Sequence, residues 1–156
     1  SLMIINAEEV PIQNSTNYPN EFKSIVAGRF RQRLGNFAGL TNFGVNLVKL
    51  TPGSASALRH WHSSQDEFIY IVEGELTLIT DAGEEILTPG MAAGFPKNEA
   101  NGHHLVNRSQ QDAVYLEVGD RSNNDTIYYP DEDLIAKVES YEQPTIFTRK
   151  DGTSYG

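Results

Sequence analysis

The chain has 156 residues, which suits one domain with a core that needs no disulfide staples. Twelve Lys and Arg against 21 Asp and Glu give a net charge of -9, a balance that repels phosphate backbones and anionic lipid and so argues against nucleic-acid and membrane-surface partners. At 38% hydrophobic residues the chain is too apolar for disorder, and with no cysteine it has no disulfides, thiol nucleophile or thiolate metal site.

Residues 1–30 hold short apolar stretches at 3–5 and 25–27, with polar loops between them. Ser1-Leu2 ahead of Met3 reads as a cloning remnant, and no basic segment precedes an apolar run as a signal peptide requires. Arg29, Arg31 and Arg33 alternate, so an extended chain would carry a small basic stripe. The acidic balance favours a solvated or salt-bridged face there over a phosphate site. From residue 45 onward, strand-like runs follow one another at 45–50, 57–62, 67–73, 75–80, 84–87, 91–95, 103–107 and 113–118. Turn signals separate them, among them Thr51-Pro52-Gly53, Asp81-Ala82-Gly83, Thr88-Pro89-Gly90 and Asn101-Gly102. No window keeps a helical apolar period, so the fold class is all-β, a sandwich or small barrel with little helix. Runs at 126–129, 134–138 and 145–148 read as late strands or arms, and Asp131-Glu132-Asp133 as a solvated turn. The longest apolar run, at 68–72, is far too short to span a membrane. A single soluble, cytoplasmic domain is expected over 1–156: an N-terminal arm with strands at 1–44, a barrel core at 45–120, and C-terminal strands and tail at 121–156.

Alternation through 67–73 puts Glu67, Ile69 and Ile71 on one face and Phe68, Tyr70 and Val72 on the other. Both faces are apolar and both need cover. One lines the barrel interior; the other packs against the N-terminal arm or a second subunit, and a homodimer is the expectation.

All four histidines fall in two short segments. His60 and His62 are two apart on a predicted strand and project from one face, and Glu67 starts the next strand after a short turn. Two imidazoles and a carboxylate on adjacent strands can meet inside a barrel, and His103 or His104 can add a third imidazole. Such a set suits one divalent transition metal (Fe, Mn, Ni, Co or Zn) and is too rich in nitrogen for Ca or Mg. Tyr115 and Glu117 share a face on a later strand and are candidate catalytic acid/base groups. Lys49 shares a face with Val45 and Leu47 and reads as a snorkelling surface lysine. Trp61, between the two histidines, should face away into packing.

The order Gly53, His60-Trp61-His62, Glu67, Gly74, then Gly90, Pro96, His103, Asn107 resembles the two motifs of the cupin superfamily. The first gap is one residue longer than usual, Asn98 stands where the motif has Gly, and the loop before the histidine is extended. The three-residue spacing to Asn107 selects His103 over His104, although a bulge at Asn101-Gly102 would reverse the choice. Segments 43–50 and 115–121 resemble small bacterial single-domain cupins, some labelled sugar-phosphate isomerase. The resemblance implies a double-stranded β-helix (the cupin jelly-roll barrel) with a metal held by His60, His62, Glu67 and His103.

The leading functional expectation is a metal-dependent enzyme acting on a small polar metabolite, in the manner of a sugar or sugar-phosphate isomerase. An Fe-dependent dioxygenase and a non-catalytic small-ligand sensor are the alternatives. The sequence offers no evident phosphate clamp, which counts against a phosphorylated substrate, and no Gly-rich nucleotide loop or GxSxG signature.

Overall fold

The structure is a computed structural model that describes residues 3–155; the reading of Ser1-Leu2 lies outside them. Among these residues the strands are β1 (Ile12–Gln13), β2 (Arg29–Arg33), β3 (Phe43–Leu50), β4 (Trp61–His62), β5 (Glu67–Glu73), β6 (Leu76–Thr80) and β7 (Gly83–Leu87). They continue with β8 (Ala92–Phe95), β9 (His104–Val106), β10 (Ala113–Asp120), β11 (Asp125–Tyr129), β12 (Leu134–Val138) and β13 (Ile146–Thr148). Helix is confined to one four-residue turn and two 3-10 segments, Ala7–Glu9 and Asn20–Val26. The second of these takes up residues 25 and 26 of the apolar stretch at 25–27.

The strands form an antiparallel jelly roll. A six-stranded sheet runs β1-β2-β3-β10-β5-β8, a three-stranded sheet runs β7-β6-β9, and a four-stranded sheet runs β13-β12-β11-β4. Alternation explains which residues meet. Val48 and Leu50 of β3, Ile69 and Ile71 of β5, and Ala113 and Tyr115 of β10 point inward onto Leu76, Leu87 and Leu105. A second cluster, built on Tyr18, Val26, Leu58, Tyr129, Leu134 and Ala136, ties the N-terminal segment to the C-terminal sheet. Gly74 follows β5 at φ +75°, and a Cβ there would sit 2.7 Å from the Asp112 carbonyl oxygen, so only glycine fits this return.

The outer face of β5 is open: Phe68, Tyr70 and Val72 are 44, 42 and 49% exposed. The N-terminal arm therefore does not cover it, because β1 and β2 add to the sheet beyond β3 instead. Lys49 lies on the outer face of β3, its ammonium 5.4 Å from the centre of the Phe30 ring. The acidic turn before β12 is exposed, but Asp131 is engaged: it takes a two-pronged bond from Arg59 at 2.8 and 2.9 Å.

Candidate metal centre

β4 is short, but it carries the alternation that matters. His60 just precedes it and His62 ends it, so both rings leave the same face. His60 is bridged to His103: His60 N–H donates to His103 O at 3.1 Å, and His103 N–H donates back at 2.9 Å. Opposed residues of an antiparallel pair share a face, so the bridge turns His103 inward beside His60. His104 points the other way, its Nδ1–H donating to Ala57 O at 2.8 Å. Asn98, in the loop that leads here, has φ +58°, the left-handed conformation that Gly would otherwise supply.

Glu67 opens β5 between Gly119 of β10 and Phe95 of β8. Its Oε1 lies 3.3, 3.0 and 3.2 Å from the Nε2 atoms of His60, His62 and His103. This buried oxygen nevertheless has no well-aligned hydrogen-bond partner. Ligating atoms of His60, His62 and Glu67 all lie within 4.8 Å of one another; His103 joins the group through Glu67.

The far ring nitrogens decide which ones are available. His60 Nδ1–H donates to Leu58 O at 2.7 Å and His62 Nδ1–H to Asp125 Oδ2 at 2.5 Å, so Nε2 is the atom each ring turns toward Glu67. Asp125 reaches His62 because β11 pairs with β4, with Ile127 opposite His62, which puts Asp125 two residues along on the same face. Ser64 N–H donates to the other Asp125 oxygen at 2.8 Å, and the carboxylate is fully buried. The His103 ring has no partner at Nδ1 and is held by stacking on Phe95, with centroids 3.5 Å apart and planes 1° from parallel. Trp61 faces away from the cluster and stacks on Tyr128 at 4.4 Å.

Burial opposes ionisation of Glu67, yet the imidazoles of His62 and His60 outweigh it and hold the carboxyl well below its usual range. Burial pulls His62 down, but Glu67 and Asp125 push it up to about 10. For His103, burial dominates and lowers the pKa. An orphaned buried carboxylate oxygen facing imidazoles whose outer nitrogens are already spoken for is an arrangement that a divalent cation completes. His60, His62 and Glu67 can hold a metal ion.

A cavity of about 280 Å³ opens on this cluster, with Tyr115 and Glu117 in its wall. Asn46 Nδ2 donates to Glu117 Oε1 at 2.9 Å, and the Tyr115 hydroxyl is buried without a partner. The same wall carries Arg29, Arg31, Arg33 and Arg121. The expectation of a solvated or salt-bridged stripe is overturned here by register. Arg29, Arg31 and Arg33 pair with Leu50, Val48 and Asn46 of β3, and cross-strand partners share a face, so the guanidinium groups turn into the barrel. Sequence reading missed Asp125, Asn46 and Arg121. The charge pattern of 29–33 was the one available signal for the wall; nothing local marks Asp125.

Fold and site together define a class: a jelly-roll barrel with an interior His-His-Glu group able to hold a metal. The cupin domain family model matches residues 46–119. A structure named sugar phosphate isomerase from a cupin superfamily, from Silicibacter pomeroyi, is 40% identical, covering 98% of this chain and 99% of that one with a TM-score of 0.92. The chain belongs to the cupin superfamily. Two more distant structures share the fold. A polyketide cyclase from Streptomyces resistomycificus is 22% identical over 77% of this chain and 80% of its own, with a TM-score of 0.63. A predicted oxalate decarboxylase from Thermotoga maritima is 18% identical over 76% and 98%, with a TM-score of 0.60. No curated protein sequence matches the chain. No helix among the described residues is long and apolar enough to cross a membrane.

Proposed function

We propose that the protein is a cytoplasmic metal-dependent enzyme that isomerises a small polar metabolite of the sugar or sugar-phosphate kind. The observation that carries this reading is the convergence of three imidazole nitrogens on one unpartnered Glu67 oxygen at the floor of a cavity that also holds Tyr115 and Glu117. His60, His62, Glu67 and His103 would hold the cation. When bound, it supplies positive charge that stabilises negative charge developing on substrate oxygens. Glu117, oriented by Asn46, takes a proton from the carbon beside a carbonyl and returns it to the neighbouring carbon, so no net proton is consumed. Burial keeps the Tyr115 phenol far above its ordinary pKa, so it remains a neutral donor to a substrate oxygen. The name of the Silicibacter pomeroyi relative points the same way.

The test is proton exchange in heavy water. Metal-loaded protein is incubated with a panel of aldose and ketose phosphates, and loss of the C–H signal beside the carbonyl is followed by NMR. Exchange that disappears in Glu117→Gln while metal content holds supports the assignment; exchange unchanged in that variant removes Glu117 from the chemistry. A second cavity of about 330 Å³, flanked by Trp61, Leu78 and Pro96, reaches Glu67 and His103 from the other side of Phe95. It gives a second small reactant its own approach, which favours an Fe-dependent dioxygenase as the next reading, checked by oxygen uptake of the Fe-loaded protein. We also propose a homodimer that covers Phe68, Tyr70 and Val72. Sedimentation should give a dimer mass that falls to that of a monomer in Tyr70→Glu.

A further inference from the structure

Two cavities meet at the metal centre, and only one is basic. The cavity beyond Phe95 has no Arg or Lys in its wall, whereas the other has four arginines. In a chain with a net charge of -9, this concentration of positive charge inside the barrel is not a general property of the surface. Three carboxylates share the wall, and of these Glu117 partly offsets the charge of Arg29 and Arg33. Glu67 belongs to the metal cluster, Glu117 is bonded to Asn46, and Asp120 accepts from Asp66 N–H and Ser122. Among the described residues, no carboxylate lies within ion-pair distance of Arg29, Arg31, Arg33 or Arg121.

The arginines differ in what they already hold. Arg29 is 7% exposed and donates to Ser56 O at 2.7 Å, so it is fixed. Arg33 donates to Gln13 Oε1 at 2.8 Å. Arg121 bonds Asn36 and lies over the Tyr141 ring at 3.7 Å. Arg31, between Arg29 and Arg33, has no hydrogen-bond partner among the described residues and repels Arg29, whose pKa is lowered by burial and then by this neighbour. Like charges held together in a partly buried wall are costly unless an anion joins them. Independently, Tyr115 is 1% exposed and lines the same cavity, and its buried hydroxyl lacks any partner. A buried hydroxyl left unsatisfied in the protein alone is accounted for when a ligand oxygen completes it.

We propose that Arg29, Arg31 and Arg33, with the Tyr115 hydroxyl, form an anion-binding wall beside the metal centre, so that the substrate is a small metabolite carrying a carboxylate or a phosphate. The anionic group docks on β2 and directs the uncharged, reacting part toward His60, His62, Glu67 and His103. This rests on the metal-dependent reading for the second half of the statement only; the anion wall stands whether or not a metal is held. It also reverses the sequence-based argument against a phosphorylated substrate, because the clamp lies on a strand outside both motifs.

The test titrates inorganic phosphate, and separately acetate, into the full chain by calorimetry, with and without bound Zn2+, in wild type, Arg31→Gln, Arg31→Lys and Tyr115→Phe. Wild type should bind at least one of the two anions without zinc. Arg31→Gln should weaken that binding on the order of tenfold or more, Arg31→Lys should restore part of it, and Tyr115→Phe should weaken it less. Tighter phosphate than acetate identifies a phosphoryl group; the converse identifies a carboxylate. Absence of binding by both anions in the metal-free protein, or equal binding by wild type and Arg31→Gln, overturns the proposal. Zinc content read on the same samples separates the two readings. Anion binding with no zinc uptake removes the metal assignment alone, and zinc uptake with no anion binding removes the wall alone.

Discussion

The barrel interior has two walls of different origin. The metal side is built from β4, the start of β5 and the residue before β9, all within 53–107, where histidines and glutamate stand at fixed short intervals. The opposite side is built from β2 and β10, and Arg29, Arg31 and Arg33 reach the cavity only because β2 docks on β3. The metal side therefore depends on local alternation and one cross-strand bridge, whereas the arginine side depends on the assembly of the six-stranded sheet. Ligand geometry can persist under changes that abolish the charged wall, and the reverse also holds.

The largest expected effect breaks the first wall without the second. His60→Ala or His62→Ala should reduce metal content from near-stoichiometric to background, read by plasma mass spectrometry, with the circular dichroism spectrum unchanged. Next comes Asp125→Asn, which reaches the metal side from β11. It replaces a fully buried carboxylate that orients His62. Metal affinity should fall about 10–100-fold, and the part-buried Ser63 hydroxyl and Ser64 N–H left facing an amide should cost about 1–3 kcal/mol in denaturant unfolding. Retained affinity in this variant would mean that packing alone orients the ring. A smaller effect comes from Gly74→Ala, which asks for a left-handed backbone and a Cβ against the Asp112 carbonyl. About 1–3 kcal/mol of stability should be lost, with metal stoichiometry intact. The smallest belongs to Tyr115→Phe. Removing a hydroxyl that has no partner should leave the melting temperature unchanged or slightly raised. Burial holds this phenol well above its usual pKa, so it stays protonated through neutral and mildly alkaline pH. Any alkaline fall in activity should therefore occur equally in both proteins.

Most of the strands were legible because half-buried antiparallel strands leave a period of two between Gly, Pro and Asn turns, and 67–73 and 134–138 are strands as read. The run at 57–62 was not, for a physical reason. Leu58 N–H goes to the Tyr18 hydroxyl, and the carbonyls of Ala57 and Leu58 go to His104 and His60 side chains. With these groups taken by side chains, the segment makes only an isolated bridge, His60 to His103, before Trp61. The stripe at 29–33 carried no apolar strand signal, because Arg29–Arg33 has a single apolar residue, Phe30, and it faces outward. A strand whose inward face is charged inverts the usual pattern. Asp125 was invisible for another reason: its link to His62 crosses 63 residues and exists only through the pairing of β11 with β4.

Trp61 is the one tryptophan in the chain. It sits between His60 and His62 and borders the cavity beyond Phe95. The protein thus carries an intrinsic optical reporter beside its candidate metal centre. A paramagnetic ion such as Ni2+ or Cu2+ should quench its emission while Zn2+ leaves it bright, and a molecule entering the cavity beyond Phe95 should shift its colour. Anion docking on the far arginine wall should leave the signal nearly silent, so fluorescence can tell which chamber has been filled.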